Sequence, residues 1–361
     1  ALFRSAGIYS HVGQRYEPVD RDTFLYYREA TDGQILEEGI TEAGSMSSFI
    51  AAGTAYATHG VDTIPFFIFY SMFGFQRIGD LIWAAADMRT KGFLIGATAG
   101  RTTLSGEGLQ HQDGHSHLHA STVPNLIAYD PAFEFEITSI VLDGIRRMYQ
   151  EGEDVFYYLT VENEKYPMPP MPEGVEEGVL KGMYCFRPAA NKGRAKRPHV
   201  NLLGSGAIMR ETLRAAELLG ERFGVAADVW SVTSYKELRR EALACDRWSR
   251  LHPMAPPRKS YVAEQFEKMN GPVVAASDYM KALPDSIAPW APEGIVSLGT
   301  DGFGRSGTRP ELRRFFEVDA ECIALAALDA LAKRGEFERS AVQEAIKDLG
   351  IDPEKADPLT V

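Results

Sequence analysis

Residues Thr63–Phe75 read TIPFFIFYSMFGF, with six aromatics in thirteen positions. Such an apolar run predicts a strand over Ile64–Phe69 buried on both faces. Strands buried on both faces belong to parallel sheets. Tyr70 and Phe73 open the next helix, expected through Asp80 to Met88, and Gly92–Thr98, within KGFLIGAT, is the next strand. Further on, Leu126–Tyr129 and Val155–Thr160 read as strands. Between them Asp130-Pro131 begins a helix containing Phe133–Tyr149, because proline suits a first helical turn. Strand and helix alternate, so the class is α/β.

Upstream, Ile35–Glu42 (ILEEGITE) is expected to be a short strand breaking at Gly39. A helix then begins near Thr41 or Gly44, with Met46, Phe49, Ile50 and Gly53 on one apolar face. Glu42 falls at this strand-to-helix corner. Corners at the carboxyl ends of strands are where α/β sheets place ligands; a carboxylate there can also merely cap the helix dipole. Residues 1–34 are polar and irregular and read as a loop or linker, with Val12–Arg28 lacking periodicity. Ala1 is no natural start, as expected of a piece of a longer protein.

Downstream of the Gly92–Thr98 strand lies Gly106–His119, GEGLQHQDGHSHLH, with four histidines in nine residues and three interspersed glycines. Glycine costs about 1 kcal/mol in a regular element, so the segment reads as a loop presenting imidazoles. Three readings remain open: an active-site loop, a polar surface loop, or a zinc site. The last follows because His115, His117 and His119 alternate and would share a face in an extended segment.

Tyr166–Gly174, YPMPPMPEG, holds four prolines and is the clearest boundary. The expected layout is therefore 1–34 linker, 35–175 first α/β domain and 176–361 second. The second contains Gly182–Pro188, a basic turn at Lys192–Arg197, and strands at His199–Leu203, Ala227–Val232, Val273–Ala276 and Ile295–Leu298. Its helices are Met209–Phe223 and Asp319–Arg334. Gly204-Ser205-Gly206 lacks the third glycine of a dinucleotide fingerprint and reads as a tight structural turn.

Composition narrows the function. With 361 residues, 45% hydrophobic and 24% charged, the chain has the balance of a soluble globular protein. A net charge of -12 argues against nucleic acid. Three dispersed cysteines imply no disulfide framework and point to a reducing cytoplasm. No signal peptide opens the chain, and Ala43–Val61 is too rich in Gly, Ser and Thr for a membrane span.

The blocks ILEEGITEAG, FYSMFGFQRIGDL, GRTTLSGEGLQHQDGHSH, YDPAFEFE and LGTDGFGRS carry a resemblance. Across essentially the whole chain the sequence resembles the thiamine-diphosphate-dependent E1 component of pyruvate dehydrogenase, in its homodimeric bacterial form. It is more distantly similar to transketolase. The resemblance implies a pyrimidine-binding domain followed by a transketolase-like C-terminal domain. It implies that Glu42 hydrogen-bonds N1′ of the cofactor's aminopyrimidine, that Ile40 props the cofactor in its bent form, that Phe73 packs on the pyrimidine with Tyr70 nearby, and that His111 faces substrate or its acyl intermediate. His115 and His117 are weaker substrate candidates. The implied reaction is decarboxylation of pyruvate with acetyl transfer to the lipoyl group of the E2 dihydrolipoyl acetyltransferase. The family's metal motif is absent, so the ligands of Mg²⁺ and the diphosphate-binding domain are expected outside this chain, which alone is expected to be inactive. Two other functions stay open. One is transketolase-type ketol transfer, disfavoured by the lack of Arg or Lys from Thr102 to His119. The other is a non-catalytic chain completing a site on a partner.

Overall fold

The computed structural model describes residues 6–19, 27–189 and 197–361. The basic Lys192–Arg197 turn lies almost wholly outside the described residues, as does part of the Val12–Arg28 run. Two sheets organise the chain. The first has the order β3-β4-β6-β5, all parallel, with β3 at Phe66–Tyr70, β4 at Phe93–Ala97, β5 at Leu126–Tyr129 and β6 at Phe156–Val161. The second has the order β11-β10-β8-β9-β7, comprising β7 (Met183–Arg187), β8 (His199–Gly204), β9 (Ala226–Val232), β10 (Val273–Ala276) and β11 (Val296–Leu298). Only β7 runs antiparallel, against β9. The α/β class with largely parallel sheets is thus the observed one.

The aromatic strand differs from its expectation in one respect. β3 is parallel but lies at an edge, so its outward residues stay open: Phe66 is 48% and Ile68 53% exposed. An apolar run reports high burial in strands that are covered on both faces; it does not report whether a neighbouring strand or layer is present. Phe69, pointing inward, is buried and stacks near Tyr158. The helix after it, Phe75–Asp87, sets Phe75, Ile78, Ile82, Ala85 and Ala86 into the core at helical spacing.

Near the start, the expected Ile35–Glu42 strand reduces to a single bridge between Ile35 and Ile8. Within residues 1–34, expected to be irregular, β1 (Ile8–Tyr9) and β2 (Glu29–Ala30) pair in parallel. Gly33 permits this: a Cβ there would stand 2.4 Å from the Ile8 carbonyl carbon. Glu42–Gly53 is helical as expected, capped by the Thr41 hydroxyl, which accepts from the Gly44 N–H at 3.3 Å.

Pro131 precedes its helix by more than expected. That helix runs Glu134–Ile145, and the buried Glu136 carboxylate accepts the Phe133 N–H at 3.1 Å. The last turn, Arg146–Gln150, is a π-helix. In the second half, Met209–Arg222 and Ala320–Lys333 match their expected spans to within two residues, the latter capped by Asp319, which accepts from the Cys322 N–H at 2.9 Å. The long helix Tyr235–Leu251 has no counterpart among the expected elements.

Polar residues cross between the halves. Asp278, after β10, accepts four hydrogen bonds, from the N–H and hydroxyl of both Thr102 and Thr103 at 2.7–3.1 Å. Asp130 accepts from Thr160 at 2.7 Å and Ser205 at 2.8 Å. Gly206, with φ of 47°, is needed beside them, because a Cβ would come within 2.4 Å of Glu162 Oε1. The Gly204-x-Gly206 turn is therefore structural, serving this seam. Lys236 reaches back from its helix to donate to the carbonyls of Ala120, Val123 and Leu126.

Candidate active site

Four of the side chains singled out in the sequence converge on the open end of the first sheet. Tyr70 ends β3, Phe73 follows in the 3-10 turn Ser71–Phe73, and His111 ends the short 3-10 turn Leu109–His111. Their rings form a triangle, Tyr70–Phe73 at 5.7 Å and each of them 5.4 Å from His111. Glu42 joins through Arg77, whose Nη1 donates to both carboxylate oxygens at 3.1 Å. The same guanidinium lies 4.2 Å over the Phe73 ring. Arg77 was missed in the sequence; the signal is its i, i+4 spacing from Phe73 across a helix start.

The cluster is half open. His111 is partly exposed, and among the described residues its Nδ1 makes no hydrogen bond, the Glu107 carboxylate standing at 3.6 Å. Burial pushes the Tyr70 phenol up, and the Glu107 charge adds to it. Ile40 stands apart, 100% exposed two residues before Glu42, with no contact to the ring cluster to hold it there.

The remaining histidines part company. The segment expected to be a loop winds into a helical turn, Ser116–Ala120. Alternating residues in a helix do not share a face, so the premise of the zinc reading fails. His115 and His119, four apart, pair at 5.5 Å. His117 turns inward and is 4% exposed, its ring edge-on to Tyr279 at 4.8 Å. Its Nε2–H donates to Thr160 Oγ at 2.9 Å, since that hydroxyl gives its own proton to Asp130. Burial pushes the His117 imidazole down to about 4. Burial and the neighbouring Arg101 lower His115 as well, against the pull of Asp113. Among the described residues no group of three or more His, Cys, Asp or Glu side chains could hold a metal ion.

Arg101, just outside the stretch free of basic residues, sits buried beneath this loop. It donates to the carbonyls of Thr300 and Gly302 and lies 3.4 Å from His115 Nδ1. Its charge is committed to the protein's own backbone rather than turned outward as a phosphate ligand would be.

Residues 1–169 match the pyruvate dehydrogenase E1 component middle domain, and residues 182–319 match the transketolase-like C-terminal domain. The chain is 59% identical over 359 residues to the pyruvate dehydrogenase E1 component of Pseudomonas aeruginosa, covering 99% of this chain and 40% of that protein. The chain belongs to the pyruvate dehydrogenase E1 family. The Cupriavidus necator E1 component is 54% identical over 360 residues, covering 100% of this chain and 40% of that one. This chain thus spans about two fifths of the length of these E1 relatives. The fold is also that of a transketolase from Leishmania mexicana, at 16% identity and a TM-score of 0.58 over 84% of this chain and 38% of that one. No helix among the described residues is long and apolar enough to cross a membrane.

Proposed function

We propose that this chain is the pyrimidine-binding and C-terminal part, residues 35–175 and 176–361, of a pyruvate dehydrogenase E1 acting in the cytoplasm. It takes pyruvate, releases carbon dioxide and passes the acetyl unit to the lipoyl group of E2. The observation that carries this is the convergence of Glu42, Phe73, Tyr70 and His111 into one half-open cluster on a chain of this family.

The cluster suits the aminopyrimidine half of thiamine diphosphate: an aromatic face for stacking, a carboxylate beside it and a partly exposed imidazole. Bound there, thiamine diphosphate supplies the nucleophilic carbon and the electron sink for decarboxylation. Glu42 holds a proton at the ring nitrogen N1′ and takes it back, which sets the basicity of the neighbouring amino group. Arg77 keeps that carboxylate aimed across Phe73. Phe73 and Tyr70 fix the ring plane and exclude water from one face. His111, opposite, faces the substrate side and can hold or move a proton at the acyl oxygen.

Magnesium and the diphosphate are held outside these residues, by a diphosphate-binding domain on a preceding or separate chain in a homodimer. Calorimetry on the 361-residue chain tests this. Thiamine diphosphate should bind weakly and with the same affinity with and without Mg²⁺, since no metal cluster is present among the described residues. Tight, magnesium-dependent binding would place the metal site in this chain and overturn the reading.

A further inference from the structure

Two residues past His111, Asp113 is fully buried, yet it has no part in the chemistry set out above. Its carboxylate is heavily committed. Oδ2 accepts from the Ser71 hydroxyl, and Oδ1 from the backbone N–H of His115 at 3.0 Å, of Ser116 at 2.9 Å and from Gln76 Nε2 at 3.5 Å. Burial alone would push this carboxyl up, but those donors outweigh it and hold it below the ordinary carboxylate range. An ionised group is therefore kept in the core by hydrogen bonds from two separate segments.

Those segments are the two sides of the cluster. Ser71 lies between Tyr70 and Phe73, in the turn that supplies both rings. His115 and Ser116 follow His111 in the loop that supplies the imidazole. Beside Asp113, Gln112 anchors the same loop on its other side, donating to the Leu104 carbonyl at 2.8 Å and accepting the Arg305 N–H at 2.7 Å. Among the described residues the His111 side chain is held only by ring contacts and the Glu107 charge. Its place relative to Tyr70 and Phe73 must come from its neighbours.

We infer that Asp113 is a positioning residue: its bond to Ser71 sets the distance between the histidine loop and the aromatic turn, and so places His111 for the transfer of the acetyl unit. This rests on the function proposed above. A residue of this kind leaves cofactor affinity alone and acts on the step that needs His111 in register, because small displacements of a reacting group are costly in rate.

The test uses the full-length protein with Asp113→Asn, Ser71→Ala and the double variant. Acetyl transfer should fall about tenfold in kcat for each single variant, with the KM for pyruvate and thiamine diphosphate affinity within about twofold of wild type. The double variant should be no worse than the more impaired single, since both break one link. Hydrogen exchange of residues 109–116 should quicken in each by more than that of the sheet strands, which separates loosening of the loop from a global loss of stability. Transfer rates within twofold of wild type, additive losses, or cofactor affinity falling in step with kcat would overturn the proposal. Should Asp113→Asn not fold, Ser71→Ala decides alone, as it removes a single hydroxyl. A wild-type protein that does not decarboxylate pyruvate would instead overturn the functional reading, and the exchange measurement would still report on the Ser71–Asp113 link.

Discussion

The half-open cluster of Glu42, Arg77, Tyr70, Phe73 and His111 and the buried seam of His117, Thr160, Asp130, Asp278 and Lys236 use the same kinds of residue. Each has at least one acid, a base and a histidine, and the two histidines are six positions apart in one stretch. They differ in how far their polar atoms are satisfied. In the seam, Asp278 accepts four hydrogen bonds and Lys236 donates three. In the cluster, Glu42 has one partner, and His111 Nδ1 makes no hydrogen bond among the described residues, with Glu107 at 3.6 Å. Groups whose bonding is complete within the protein hold it together; groups left short face something still to arrive.

The contrast is broken most sharply by removing one carboxylate from the cluster. Glu42→Gln in the full-length protein should lower pyruvate decarboxylation by a factor of about 10²–10⁴, the usual worth of a positioned acid–base group. Thermal stability should fall little, because half of the Arg77 side chain stays in solvent and the amide keeps a hydrogen-bond acceptor for it, so the loss is on the order of 1 kcal/mol. More than a tenth of wild-type activity in the variant would remove Glu42 from the role.

Lys236→Met should do the reverse. It leaves the carbonyls of Ala120, Val123 and Leu126 without their donor, at a cost of about 3 kcal/mol or more in stability. Denaturant unfolding measures this. A loss below about 1 kcal/mol would mean that water replaces the ammonium group.

His117 sharpens the comparison through pH. Its folded-state value of about 4 lies below the ordinary 6.5, so the fold favours the neutral ring. The stability this contributes is complete above pH 6.5 and is lost as pH falls from there towards 4, up to about 3 kcal/mol. Comparing wild type with His117→Gln across that window isolates the imidazole from the carboxylates that titrate alongside it. The gap between them should narrow as the solution is acidified, and a gap independent of pH would contradict a buried neutral His117.

The smallest effect expected is at the other histidine. His111→Ala should slow acetyl transfer about a hundredfold, the lower end for a proton-handling group, while changing cofactor affinity and stability little. Stopped-flow transfer and calorimetric titration together separate the two, and an equal fall in cofactor affinity would move His111 to the cofactor's side of the pocket.

Much of this was legible in the residues. The parallel sheets follow from the apolar runs, and Glu42, Tyr70, Phe73 and His111 could be picked out before any coordinate was known. Local pattern singles out the Glu42 corner and the histidine loop, whereas the roles of Tyr70, Phe73 and His111 are what the family resemblance implies. The seam was not legible. Asp130 and Ser205 are 75 residues apart, and Thr102 and Asp278 are 176 apart. Nothing local to Asp113, Arg101 or Lys236 says that each will be buried and bonded to a distant segment.

The sequence by itself determined the class of fold, the alternation of strand and helix, and the stretches that present aromatic rings, a carboxylate and imidazoles. These are properties of short windows, governed by hydrophobic period, glycine and proline. Only the tertiary structure decided that β3 lies at an edge, that His117 is buried while His111 stands at the opening, and that Arg77 joins Glu42 to Phe73. Each of those depends on which distant segment packs alongside. A buried polar group is tolerated only where such a segment brings it hydrogen-bond partners, and that pairing is written across the fold rather than along the chain.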